Sequence, residues 1–152
     1  MSDPSPMRAL DDARAALTGL ELHQDEPLAR RTSFGIGGPA DLLVVARQEH
    51  EVVRVLQVAE QHRLPMWVLG GGSNVLVGDG GVRGITLTLA GELAALTVRD
   101  DGLGIEVGAA CTFARLTQRA LDLGWPPAVG WLGTPGQVGG ALVMNAGSKH
   151  GE

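Results

Sequence analysis

Residues 66–77 read Met-Trp-Val-Leu-Gly-Gly-Gly-Ser-Asn-Val-Leu-Val, an apolar run that passes directly into three glycines. Met66 to Leu69 predicts a short buried strand, and the glycines force a turn where it ends. Consecutive glycines accept positive φ and let a ligand approach the backbone without a Cβ in the way. A tight turn of this kind points successive N–H groups to one side, a nest suited to phosphate or pyrophosphate. Ser73 and Asn74 add short hydrogen-bonding side chains. No lysine or arginine lies between Arg63 and Arg83, so anion binding at Gly70–Asn74 rests on backbone dipoles. On the loop alone, a plain strand-to-strand turn is an equal alternative.

Working outward, Ala40 to Ala46 is a near-continuous apolar run, consistent with a strand covered on both faces. Gln48 to Arg63 carries a helical stripe of apolar residues, and Pro65 stops it. Strand, helix and strand predict a small β-α-β unit, the first lobe, over residues 21–79. Ahead of it, residues 1–6 read as a disordered tail, Met7 to Leu17 as a short amphipathic helix, and Gly19 to Ser33 as a polar loop. Beyond residue 79 the period becomes strand-like, at Ile85–Leu89, Leu93–Val98 and Gly104–Val107. Arg99-Asp100-Asp101-Gly102 is a hairpin turn signal. Thr112 caps a helix from Phe113 to Leu123, with Gly124 as its C′ residue. The class is α+β, with a mostly antiparallel second lobe over residues 80–152.

That second lobe holds another glycine segment, Gly133-Thr134-Pro135-Gly136-Gln137-Val138-Gly139-Gly140-Ala141. Pro135 suits the first position of a helix and Thr134 its cap, which predicts outward N–H groups at Gly136 and Gln137 and a second anion site. Gly139-Gly140-Ala141 lacks bulk, so something flat or another backbone passes closely; a tight packing crossover is the alternative. A third run, Gly35-Ile36-Gly37-Gly38-Pro39-Ala40, matches G-x-G-x-x-A by letter. It neither follows a strand nor opens a helix, so a dinucleotide fingerprint is rejected. No phosphate-binding Gly-Lys-Ser/Thr run exists.

The 152 residues carry 12 basic against 17 acidic side chains, a net charge of −5. That balance argues against a nucleic-acid or anionic-membrane surface. Residues 70–84 hold seven of the 23 glycines and residues 124–151 eight, interleaved with apolar residues, which excludes collagen and flexible linker. One cysteine, Cys111, rules out an intramolecular disulfide and reads as a core residue. The histidines, His23, His50, His62 and His150, show no zinc-ligand spacing. No apolar run is long enough for a membrane helix and no leader pattern opens the chain, so a cytoplasmic protein is expected. Arg31 is open between a cofactor-phosphate contact and a solvated loop. Trp131 is open between packing on a bound cofactor and packing in the core.

Three strings together carry a resemblance. Arg31-Thr32-Ser33-Phe34-Gly35-Ile36-Gly37-Gly38-Pro39-Ala40-Asp41 resembles the opening segment of the UDP-N-acetylenolpyruvoylglucosamine reductase family, also called UDP-N-acetylmuramate dehydrogenases. Val68-Leu69-Gly70-Gly71-Gly72-Ser73-Asn74-Val75-Leu76-Val77 is similar to that family's first flavin loop. Gly133 to Ala141, followed by Met144-Asn145-Ala146-Gly147, is similar to its second. The resemblance implies an FAD-binding domain of the vanillyl-alcohol-oxidase (PCMH) type, two α+β lobes clasping FAD, here incomplete at its C-terminus. It implies FAD contacts at Gly70, Gly71, Gly72, Ser73, Asn74 and Val75, and at Gly133, Thr134, Pro135, Gly136, Gln137, Val138, Gly139, Gly140, Ala141, Asn145 and Gly147.

Members of the family reduce FAD with NADPH and pass hydride from flavin N5 to the enolpyruvyl group of a UDP-sugar, a step of peptidoglycan precursor synthesis. Ser148-Lys149-His150-Gly151 departs from the Ala-Tyr pair of many relatives. The family's catalytic arginine, proton-donating serine and late glutamate, with its substrate domain, correspond to positions past Glu152. None of Ser2, Ser5, Ser33, Ser73 or Ser148 matches that serine's motif. The expectation is FAD contacts with no catalytic residue, no metal site, no nucleic-acid or membrane partner, and little reductase activity in the isolated chain. A non-catalytic flavin-binding fragment, a degenerate or split gene product, or another FAD oxidoreductase of the superfamily are the alternatives. Ser73-Asn74 and Met144–Gly147 favour the cell-wall enzyme.

Overall fold

The computed structural model describes residues 6–147, and the chain divides between Thr88 and Leu89 into two compact units. The first contains α1 (Pro6–Ala16), β1 (Glu21–Pro27), a 3-10 turn at Leu28–Arg31, β2 (Pro39–Ala46), α2 (Glu49–Gln61), β3 (Met66–Val68) and β4 (Val82–Leu89). Its sheet has the order β1-β2-β4-β3, with β1 antiparallel to β2 and β3 parallel to β4. Leu42 to Ala46 are all buried, as expected of an apolar run covered on both faces. Onto this core α1 turns Ala9 and Ala13, followed by buried Leu17 just past its end, and α2 turns Val55, Val58 and Ala59. Each fully buried Leu or Val contributes about 1.5–3 kcal/mol relative to exposure.

The ends of α2 are closed by its own sequence. Gln48 and Glu51 form a capping box, in which the Gln48 N–H donates to Glu51 Oε2 at 3.1 Å. At the other end Arg63 takes φ +53°. Its N–H then donates to the Glu60 carbonyl and the Leu64 N–H to Ala59, a Schellman closure on a residue other than glycine.

Two expectations are corrected in this unit. Gly19 to Ser33 is not a loop: Glu21–Pro27 is an edge strand, its register running from Glu21 against Val45 to Pro27 against Pro39. Its residues Glu-Leu-His-Gln-Asp-Glu-Pro are mostly exposed. Pairing to β2, rather than an apolar pattern, makes it a strand. Ile85–Leu89 was expected in the second lobe, yet β4 lies between β2 and β3, so the division falls after Thr88 rather than after residue 79. Being interior, β4 buries Gly84 to Leu87 in succession instead of alternating. The Thr86 hydroxyl has no partner among the described residues.

In the second unit a 3-10 turn at Gly91–Ala94 precedes β5 (Leu96–Val98), so the strand expected at Leu93–Val98 starts later. It pairs antiparallel with β6 (Ile105–Val107). The Arg99–Gly102 signal forms the hairpin: Asp101 Oδ1 accepts from the Leu103 N–H at 2.9 Å, and the Arg99 N–H donates to the Gly104 carbonyl. Then follow α3 (Phe113–Asp122), a 3-10 turn at Pro126–Trp131 and α4 (Val138–Val143). Thr112 caps α3, accepting from the Arg115 N–H at 3.3 Å. Gly124 closes α3, its N–H donating to Leu121 while Trp125 donates to Ala120. The expected tail lies outside the described residues except for Pro6, the first residue of α1.

Candidate functional site

The predicted site residues fall into two sets, Gly70–Val75 in the first unit and Gly133–Gly147 in the second. The first set is part of the connection from β3 to β4. Those strands are parallel, Met66 pairing with Ile85 and Val68 with Leu87. The chain leaving Val68 must therefore travel back along the sheet before β4 can begin. A plain turn is excluded by that register; residues 69–81 form a crossover without a helix. Leu69 stays tied to the sheet, its N–H donating to Leu87. Among the described residues no acceptor engages the backbone N–H groups from Gly70 through Val77. A crossover helix would satisfy such groups itself. Here they are left for water or a ligand.

The segment that looked like a misplaced dinucleotide motif is the splint of this crossover. Ser33 N–H donates to the Gly72 carbonyl at 3.0 Å and Gly38 N–H to Gly78 at 3.0 Å. Gly72 has φ +66°, and a Cβ there would collide with the Arg31 carbonyl oxygen. Gly37 is pressed against Val77, and Gly38 against the carbonyl of Asp79. These glycines are required because two stretches of backbone lie in contact. Asp41 secures the far end, where its carboxylate pairs with Arg83 and accepts from the Gly84 N–H at 2.9 Å. Sequence reasoning missed the splint, whose one signal is Gly37-Gly38 in a segment that neither follows a strand nor opens a helix. Phe34 and Ile36 beside it, and Leu76 on the crossover, are exposed apolar side chains.

The second set differs from expectation at its start. Thr134 and Pro135 do not open a helix, because α4 begins at Val138 with Gln137 as its N-cap. Gly136 takes φ +94°, and Pro followed by a positive-φ glycine is the residue pattern of a type II turn. Gln137 is extended and bridges Thr112. The N–H groups of Val138 and Gly139 donate to Cys111 and Ala109, both at 2.9 Å, while Phe113 N–H donates to Gly136. Residues 109–113 thus hold the turn. Among the described residues, the N–H groups of Gly136 and Gln137 have no acceptor.

Gly139 packs tightly on Ala109: an added Cβ would stand 2.9 Å from the Ala109 Cβ and 3.2 Å from its carbonyl oxygen. Gly133 and Gly140 have open space in that direction. Ala141 is half-buried in α4, followed by exposed Leu142, Val143 and Met144. Asn145, at φ +47°, closes α4: its N–H donates to Leu142 and that of Ala146 to Ala141. Trp131, half-buried, packs against Phe113, ring centroids 6.0 Å apart. Cys111 is buried. His150 and the departure at Ser148–Gly151 lie outside the described residues.

Among the described residues no three His, Cys, Asp or Glu side chains gather to hold a metal ion, and no helix is long and apolar enough to cross a membrane. The two segments offer backbone donors without acceptors among the described residues, beside exposed apolar side chains. An anionic group can be held by such donors without a cation, and an apolar ring can lie on such side chains.

Residues 40–152 match the FAD binding domain family. The chain is 44% identical over 131 residues to UDP-N-acetylenolpyruvoylglucosamine reductase 2 of Symbiobacterium thermophilum, covering 86% of this chain and 42% of that protein. It is 41% identical over 128 residues to the reductase of Rubrobacter xylanophilus, covering 84% and 42%. A crystal structure of UDP-N-acetylenolpyruvylglucosamine reductase from Thermus caldophilus superposes with a TM-score of 0.70 at 36% identity, over 88% of this chain and 44% of that one. The chain spans less than half the length of the relatives it matches. With the family match covering most of its length and an α+β fold shared with that reductase, this chain belongs to the FAD binding domain family.

Proposed function

We propose that this chain is the FAD-binding portion of a UDP-N-acetylenolpyruvoylglucosamine reductase. In that whole enzyme NADPH is the electron donor and a UDP-N-acetylglucosamine enolpyruvate the acceptor, in cytoplasmic synthesis of peptidoglycan precursor. The observation that carries the reading is the run of backbone N–H groups from Gly70 through Val77, left without acceptors on a crossover that another segment holds open. That cradle suits the FAD pyrophosphate because it offers donors without a competing charge. Gly70, Gly71, Gly72, Ser73, Asn74 and Val75 would hold the cofactor there. In the second unit Gly133 to Ala141, with Asn145 and Gly147, would hold it through the N–H groups of Gly136 and Gln137 and the open sides of Gly133 and Gly140. Asn145 would act chiefly by closing α4. Bound FAD supplies two-electron hydride chemistry; these residues bind it and orient it.

The test is titration of the purified 152-residue chain with FAD, followed by flavin absorbance and fluorescence. A saturable change is expected; spectra identical to free FAD at excess protein would overturn the proposal. Turnover with NADPH and the enolpyruvyl UDP-sugar is expected to stay at background for this chain alone. Sustained sugar-dependent NADPH oxidation would show that the catalytic groups are present after all.

A further inference from the structure

We infer that Glu26 is a positioning residue for the first glycine segment, acting through Arg31 on the backbone that seats Gly72. Arg31 Nε donates to Glu26 Oε1 at 2.8 Å, and the carboxylate is only 17% exposed. A charge-assisted contact of this kind is stronger than a neutral one. Arg31, 35% exposed, stays partly solvated without its partner, so what the substitution removes is the tether between strand and turn. Arg30, the neighbouring cation, is exposed.

Glu26 is fixed by its place in β1, opposite Ala40 of β2. The turn between the two partners is anchored by buried Leu28, whose N–H donates to the Gly38 carbonyl at 3.2 Å. Arg31 therefore has one end held by a strand and its carbonyl delivered against Gly72, where no Cβ fits. Two residues on, the Ser33 N–H closes on the Gly72 carbonyl. The ion pair thus decides whether residues 31–33 stay on the crossover, and so whether Gly70–Asn74 keeps its open shape. Its consequence for FAD rests on the function proposed above; its consequence for the loop does not.

The experiment measures amide hydrogen exchange in the full 152-residue chain carrying Glu26→Gln, with the β2 amides as an internal gauge of global opening. The Ser33 amide is expected to exchange about tenfold faster while the β2 amides are unchanged, as for loss of one charge-assisted bond at a local opening. FAD affinity is expected to fall about fivefold on the same argument. Ser33 exchange that is unchanged, or that rises only in step with β2, overturns the inference. Should Glu26→Gln not fold, Arg31→Lys carries the test. It keeps the charge but loses the Nε donor, and a Ser33 amide accelerated apart from β2 supports the pair, whereas an unchanged one overturns it. If the unsubstituted chain binds no FAD, the proposed function fails and the exchange result stands alone. If FAD binds and Glu26→Gln binds it equally despite a faster Ser33, the loop is positioned but the cofactor role is overturned.

Discussion

The two glycine segments are written in nearly the same letters and use them in opposite ways. In the first, Gly72 is occupied from within: the Arg31 carbonyl fills the space where its side chain would stand. In the second, Gly140 and Gly133 look onto open space. The first segment leaves its donors free because it is a crossover held by a splint. In the second, Val138 and Gly139 already donate to residues 109–111, and only Gly136 and Gln137 remain without acceptors among the described residues. A glycine can therefore be held by the packing of the fold at one site and face open space at another. Only the neighbour of its missing Cβ separates the two cases.

Substituting alanine at each breaks or keeps this contrast. Gly72→Ala must relieve a collision with backbone and holds a positive φ, so it is expected to cost about 3 kcal/mol or more, lowering the melting temperature with or without FAD. A melt within about 2 °C of the parent, the shift of a change under about 1 kcal/mol, would show that the crossover yields and the splint is loose. Gly133→Ala adds no collision but keeps φ +82°, and about 1 kcal/mol of destabilisation is expected. Gly140→Ala sits within α4 with nothing nearby, so the chain without cofactor is expected to gain about 0.5–1 kcal/mol. If the open side of Gly140 is a cofactor face, the same variant weakens FAD binding while raising stability. Opposite signs in those two measurements sharpen the comparison, and matching signs break it.

The second segment was also where sequence misled most, for a local reason. Pro135 is an acceptable first residue of a helix and an acceptable second residue of a turn, and Thr134 caps either reading. The choice is made by Gly136, whose φ of +94° no helix start accepts. Elements whose signals are self-contained were legible: Thr112 as cap and Gly124 as closure of α3, the apolar β2, and the Arg99–Gly102 hairpin. Glu21–Pro27 was not, because a polar edge strand exists only by pairing with β2 across the intervening residues 28–38. The identity of the first glycine loop was legible, but its restraint was not. Nothing near Gly72 in sequence announces that Arg31 is its neighbour.

Helix closures test the same contrast with a smaller effect. Gly124 and Arg63 perform one job in the two units, both donating to a carbonyl three residues back at positive φ. Arg63 does so with a Cβ, at a cost of order 1 kcal/mol. Arg63→Gly is expected to raise stability by about 0.5–1 kcal/mol, read as a higher urea midpoint at unchanged slope. A lower midpoint would mean that the Arg63 side chain contributes more by packing than its backbone loses.

The smallest effect is expected at the end of β1 remote from the splint, and it asks whether any charge on that strand reaches the glycine loop or only Glu26 does. Glu21 accepts from His23 Nε2 at 3.0 Å and from Arg47 at 2.7 Å. The His23 hydrogen bond first, and Arg47 next, hold its carboxyl below the ordinary value of 4.5. The unfolded chain therefore takes up this proton at a higher pH than the folded one. The contribution to stability is complete above about pH 4.5 and is lost as the pH falls through the lower folded value. Because the carboxylate is well exposed, solvent screening leaves about 0.5 kcal/mol or less. Glu21→Gln is thus expected to melt slightly below the parent at neutral pH, the small margin closing as the pH falls below 4.5 and through the lower folded value. Its Ser33 amide exchange and FAD affinity are expected to equal the parent's. A Glu21→Gln chain whose Ser33 opens as readily as that of Glu26→Gln would mean that any charge lost from β1 loosens the segment, leaving the Glu26–Arg31 pair without a role of its own.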